Sequence, residues 1–243
     1  MSTQPRERRI HGSLLAATEK RLLIWMAERL PRAINSDHLT GLGAAAMAAA
    51  GLGYAAAPYW PPALVLVVGF LALNWFGDSL DGTLARVRHH ERPRYGFYVD
   101  HVLDAVGILF LIGGLFAGGF VSLLPAAAFL LAYYLLTIEI ALATHALGVF
   151  RISYWKFGPT ELRILLAIGT LQLLDSPWST IAGHRVLLFD LGTAAGAAGL
   201  LVTFLVSAVQ NTRKLYAMEP LPQTLPTLPE LPTLPRWQIT EQS

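Results

Sequence analysis

Four aspartates carry the most unusual chemistry in this chain of 243 residues. Asp78 and Asp81 close one long apolar stretch, and Asp100 and Asp104 open the next. Spacings of three and four residues place each pair on one face of a helix. A short basic segment joins the two stretches, so they are antiparallel neighbours whose acidic faces meet. Carboxylates gathered in this way repel one another unless a cation sits among them. The chain has no cysteine and its histidines do not fall at matching spacing. Oxygen-only donors suit a hard ion such as Mg2+, Mn2+ or Ca2+. Two such ions sharing carboxylates clamp both sides of a phosphoryl displacement. The competing reading pairs the aspartates with Arg86, Arg88, Arg92 and Arg94. Four acids converging at one mouth make that the weaker reading.

Small residues share the same surface. Gly82 and Ala85 continue the face of Asp78 and Asp81, and Gly96 precedes Asp100 by one turn. Room of this kind lets a flat ligand approach the backbone, and Arg86 adds a fixed positive charge suited to phosphate. Glycines alone serve helix packing in membranes equally well.

The elements that must hold these residues are apolar. Hydrophobic residues make up 54% of the chain and charged residues 14%, against about 25% in a soluble domain. A net charge of +2 excludes a nucleic-acid partner held by its phosphate backbone. Crossing a hydrocarbon core takes about 20 mostly apolar residues in a helix. Six candidates meet or approach this: Leu39–Ala57, Ala63–Leu80, Val99–Gly118, Leu123–Leu147, Leu162–Leu174 and Val186–Val209. The fifth is short and spans only if its helix begins near Tyr154; otherwise it is re-entrant. Of the 18 Lys and Arg residues, all but Arg185 fall on one side of this arrangement. That bias predicts a cytoplasmic location for both termini and the basic loops, and it requires an even number of spans. The segment Ser13–Ile34 repeats Leu15, Leu22, Trp25, Met26, Leu30 and Ile34 at helical spacing between charges. It predicts an amphipathic helix on the membrane surface, or an ordinary helix packed on protein. Prolines at 220, 222, 226, 229, 232 and 235 favour polyproline II or a disordered tail. The expectation is an all-α integral membrane protein: residues 1–35 a cytoplasmic segment with the surface helix, 36–212 a six-helix bundle, and 213–243 a proline-rich tail.

The pattern Asp78-x2-Asp81-Gly82-x2-Ala85-Arg86-x9-Gly96-x3-Asp100-x3-Asp104 closely resembles the signature of the CDP-alcohol phosphatidyltransferases. The resemblance extends over about residues 13–212 and leaves the tail outside. It implies a six-helix membrane bundle, commonly a homodimer, in phospholipid biosynthesis. Members move a phosphatidyl or phosphoalcohol group from a CDP-linked lipid donor to a small alcohol acceptor and release CMP. By resemblance, Asp78, Asp81 and Asp100 hold one Mg2+ or Mn2+ ion, and Asp78, Asp100 and Asp104 hold a second. Asp104 is also the implied general base on the acceptor hydroxyl. Gly82, Ala85, Arg86 and Gly96 are implied to line the CDP site. The family often has Pro-Asp/Asn-x-x-Thr at the start of its first span. This chain reads Ser36-Asp37-His38-Leu39-Thr40, with serine for proline. Asp37 and Thr40 are therefore donor-binding candidates that serve equally as a cap for the first span.

The acceptor is less defined. Glu139 lies inside the fourth span, where an acid calls for a role, and Glu161 lies close by in the next loop. Either suits an amino or ammonium group. Arg151, Lys156 and Arg163 suit a phosphorylated acceptor, or serve topology and lipid anchoring. The expected location is the plasma (inner) membrane of a prokaryote, with the active site and both termini cytoplasmic. An intramembrane Mg-dependent prenyltransferase also uses bound aspartates, but the Asp-Gly-x-x-Ala-Arg element counts against it. A divalent-cation transporter would place its acids at mid-membrane on several spans, not at one mouth.

Overall fold

The computed structural model describes residues 16–147, 159–181 and 183–221. They form α1 (Ala16–Arg29), α2 (Ser36–Ala56), α3 (Ala63–Val87), α4 (Pro93–Ala117), α5 (Leu123–Leu147), α6 (Pro159–Gln172), β1 (Trp178–Ile181), β2 (His184–Leu187) and α7 (Leu188–Met218). Five of these, α2, α3, α4, α5 and α7, are long and apolar enough to cross a membrane. The fifth expected span corresponds to α6, whose described residues are Pro159–Gln172; Tyr154, where that span was expected to begin, lies outside the described residues. The all-α expectation is corrected by one feature: β1 and β2 form an antiparallel hairpin, with Trp178 opposite Leu187 and Ile181 opposite His184. Gly183, at φ 84°, sits in its turn, a conformation that glycine adopts without a Cβ penalty. The proline-rich tail beyond Leu221 lies outside the described residues.

Local chemistry sets the helix starts nearest the acids. Asn35 caps α2, its side chain accepting the His38 amide while His38 Nδ1 accepts the Asn35 amide. The cap expected at Asp37 or Thr40 thus lies earlier, because Asn35 has the extended backbone a cap requires. Pro93 opens α4, where its missing N–H costs nothing.

Close backbone approach sets the packing. α2 lies against both α3 and α4, α5 lies against α7, and α1 and α6 lie against α3. A Cβ at Gly77 of α3 would stand 2.6 Å from the Leu39 carbonyl oxygen and 2.7 Å from the Gly43 nitrogen. Only a residue without a side chain lets α2 and α3 meet there, one position before Asp78. Gly114 of α4 meets the backbone of Gly51 in the same manner. Dispersion between closely packed backbones holds helices together where lipid removes the hydrophobic drive.

Two apolar clusters bracket the molecule. Tyr54, Leu71, Leu111, Leu115 and Phe189 belong to one, and Tyr54 Oη lies 2.5 Å from Thr170 Oγ1 within it. The other joins Leu23 and Ala27 of α1 to Leu39, Leu80 and Leu84. α1 is therefore docked on protein along one edge, while Leu22 and Trp25 stay exposed. The Ser122 amide and hydroxyl donate to Asp190 at 2.6 and 2.7 Å. That contact puts the starts of α5 and α7 at the same end, so the chain returns along α6 between them.

Candidate functional site

The pairs of aspartates converge as their spacing requires. Asp78 of α3 and Asp100 and Asp104 of α4 each offer one carboxylate oxygen, and these oxygens lie within 4.8 Å of one another. The backbone contact of Gly77 with Gly43 brings α3 onto α2, and the contact of Gly51 with Gly114 brings α4 onto the same helix. The trio is thus a product of two glycine contacts on either side of α2. Asp81 stands apart from this trio. Its Oδ2 accepts from Thr40 Oγ1 at 2.5 Å, its other oxygen accepts the Gly82 amide, and Ser36 Oγ bonds its carbonyl at 2.9 Å. Asp81 nonetheless lines the same narrow cleft, with Thr40, Asn74, Met47 and the other three acids. The cleft encloses about 30 Å3, room for a water molecule or an ion and too little for a nucleotide.

A larger pocket of about 430 Å3 lies between the start of α2 and the end of α3, lined by Ser36, Asp37, Ala85, Arg88, His90 and Arg92 among others. Its size suits a small-molecule ligand. Asp37 and Ala85 line it directly. Asp37 also pairs with Arg92, and Thr40 turns instead toward Asp81. Arg88 donates to the carbonyls of Ile34 at 2.5 Å, Leu30 at 2.9 Å and Pro31 at 3.1 Å, fixing the link between α1 and α2. Arg86 donates to Thr83 Oγ1 at 3.0 Å. A Cβ at Gly82 would be 3.4 Å from Arg86 Nη1, and one at Gly96 would meet nothing within 4 Å. Neither glycine is therefore needed for helix packing.

A guanidinium that sequence reasoning did not set against the acids reaches them from α6. Arg163 of α6 pairs with Asp78, and its Nε donates to Asn74 Oδ1 at 2.8 Å. Asn74 in turn donates to the Gly43 carbonyl at 3.0 Å. Arg163, an acceptor candidate, thus lies against the acidic cluster. Glu161 lies in the first turn of α6, and Arg151 and Lys156 fall outside the described residues. Glu139 does not line the cleft. Its oxygens accept from Ser207 Oγ and Asn211 Nδ2 of α7, both at 2.7 Å. The acid inside the fourth span thus ties α5 to α7. His101 bonds the Phe97 carbonyl through Nδ1 at 2.9 Å.

Sequence reasoning passed over Asn74. Its signal was present: an amide in an apolar stretch, four residues before Asp78 and on the same helix face. Chemically, the arrangement is a ring of hard oxygen donors beside a ligand-sized pocket, with the Arg163 guanidinium against the acids.

The profile of the CDP-alcohol phosphatidyltransferase family, "CDP-alcohol phosphatidyltransferase", matches residues 36–208. Archaetidylinositol phosphate synthase of Methanothermobacter thermautotrophicus is 33% identical over 105 residues, which are 43% of this chain and 50% of that protein. The chain therefore matches about half the length of this curated relative. Among solved structures, the phosphatidylinositol phosphate synthase of Mycobacterium tuberculosis with CDP-DAG bound superimposes with a TM-score of 0.54 and 20% identity. The match covers 81% of this chain and 94% of that one, a likeness of fold.

Proposed function

This chain belongs to the CDP-alcohol phosphatidyltransferase family, and from that premise we propose that it moves a phosphatidyl group from CDP-diacylglycerol to a phosphorylated polyol and releases CMP. Membership makes it a membrane transferase of phospholipid synthesis and sets aside the prenyltransferase and transporter readings. The observation that carries the finer reading is Arg163, a guanidinium held by Asn74 at the edge of the acidic trio. A fixed guanidinium beside the reacting centre suits an acceptor that brings its own phosphate. The relative named as an inositol phosphate lipid synthase supports the same substrate class.

Asp78, Asp81, Asp100 and Asp104 are hard donors of the kind that hold Mg2+ or Mn2+, and the trio's spacing within 4.8 Å fits that use. Bound there, such ions spread the charge of the diphosphate and of departing CMP. The remaining work falls to the chain. Asp37, Ala85 and the pocket of about 430 Å3 receive the nucleotide. Gly82 and Gly96 leave the diphosphate room, and Arg86 offers it positive charge. Asp104 takes the proton from the acceptor hydroxyl as that oxygen bonds to the donor's β-phosphorus. The phosphoanhydride bond breaks, its electron pair leaves on CMP, and the lipid phosphate becomes a diester of the acceptor. The cleft opens at the helix ends, so a donor keeps its acyl chains in the bilayer. The site, both termini and the basic loops face the cytoplasm of a prokaryote, and the enzyme works as a homodimer.

The test is CMP release from CDP-diacylglycerol with Mg2+ across a panel of acceptors: inositol 1-phosphate, glycerol 3-phosphate, free inositol, serine and ethanolamine. The phosphorylated polyols are expected to support release. Release only with an amino alcohol would overturn the acceptor class, and none with any acceptor would overturn the donor.

A further inference from the structure

α6 carries Arg163, so whatever fixes α6 fixes that guanidinium. Three side-chain tethers among the described residues hold it. Thr170, near its far end, meets Tyr54 Oη at 2.5 Å. Arg163 bonds Asn74 and pairs with Asp78. At its first turn, Thr160 Oγ1 donates to Glu19 Oε1 at 2.7 Å. The same Glu19 oxygen accepts Trp75 Nε1 of α3 at 2.8 Å.

We propose that Glu19 is a positioning residue for the acceptor side of the site: one carboxylate oxygen ties α1 to Trp75 of α3 and Thr160 of α6, and so sets where Arg163 stands. Thr160 lies three residues before Arg163, one turn away on the same face. Trp75 lies three residues before Asp78, and next to Asn74. Glu19 therefore grips both helices one turn from the contact between Arg163 and Asp78. A carboxylate is apt for the task, because it accepts from two donors at once. The apolar seat of α1, through Leu23 and Ala27 on Leu80 and Leu84, fixes the carboxylate in turn. The role in catalysis rests on the reading of Arg163 as the acceptor-phosphate ligand. The tether itself does not.

Two measurements on the full chain in detergent separate these. Amide hydrogen exchange is followed in α6 and, as reference, in α2 and α7. Glu19→Ala and Thr160→Val are expected to speed exchange in the first turns of α6 about tenfold, the scale of one lost charge-assisted bond, and to leave α2 and α7 unchanged. Glu19→Gln, whose amide oxygen still accepts from both donors, is expected to match the parent. CMP release is then measured with the acceptor chosen by the panel. Glu19→Ala should raise KM for the acceptor with kcat and donor KM nearly constant, and Glu19→Gln should restore it. Unchanged exchange in α6, exchange raised equally in every helix, or Glu19→Gln as impaired as Glu19→Ala would each overturn the proposal. So would a fall in kcat with no change in acceptor KM. If only acceptors without a phosphate support CMP release, the reading of Arg163 fails, and the exchange result still decides the tether.

Discussion

Asp104 and Asp78 lie within 4.8 Å of each other but face different neighbours. Asp78 is pinned by Arg163, whereas Asp104 lies one turn further along α4 from the helix start than Asp100. Asp104→Asn is expected to keep donor and metal affinity near the parent's while turnover falls at least ~10²-fold, as loss of a general base requires. Asp78→Asn is expected to abolish metal binding and turnover together. Titration calorimetry with Mg2+ alongside CMP release checks both, and parallel losses in the two variants would make Asp104 a ligand only. Gly82→Leu is expected to weaken CDP-donor binding roughly tenfold, about 1.4 kcal/mol, with unfolding temperature unchanged. A Cβ there stands 3.4 Å from Arg86 Nη1, an ordinary contact, so a fall in stability without a fall in affinity would contradict the assignment. At this scale the acidic quartet was legible, because spacing on a helix survives folding. What Asp81 does was not legible: its partner Thr40 stands 41 positions away, and no local rule joins them. Glu139 was found for a sound reason, an acid among apolar residues, yet its partners on α7 were invisible for the same cause.

Single contacts between helices decide whether those residues meet. The boundaries of α2 to α5 follow the apolar stretches closely, since bilayer thickness and helix rise fix their lengths. α3 and α4 run past the apolar stretches at the acidic end, to Val87 and from Pro93, because the site needs helix where the bilayer does not. The hairpin escaped notice because strands of four residues carry little periodic signal. The seam between α2 and α3 depends on Gly77, where a Cβ would press on the backbone of Leu39 and Gly43. Gly77→Ala is expected to cost about 1–3 kcal/mol through overpacking. Thermal unfolding in detergent reads that cost, and an unchanged transition would show that the seam yields freely.

The whole chain offers a direct test of its orientation. It has no cysteine, so single cysteines report their own side of the membrane. His90→Cys, between α3 and α4, is expected to resist a membrane-impermeant maleimide in intact cells and to react after lysis. Ser179→Cys, in the hairpin, is expected to react in intact cells. Labelling of both from one side would mean that the passage through α6 does not cross. That passage has a consequence for the membrane itself. Polar ties hold α6 to α1, α2 and α3, so it cannot shift along them to follow a thicker bilayer, and the lipid beside it has to thin instead. Each ångström of mismatch costs a fraction of a kcal/mol. CMP release in phosphatidylcholine vesicles is therefore expected to slow as acyl chains lengthen, and a flat response would deny the effect. An enzyme that makes phospholipid would then feel the thickness of the sheet it is building and slow as that sheet grows too deep for the helix it holds in place.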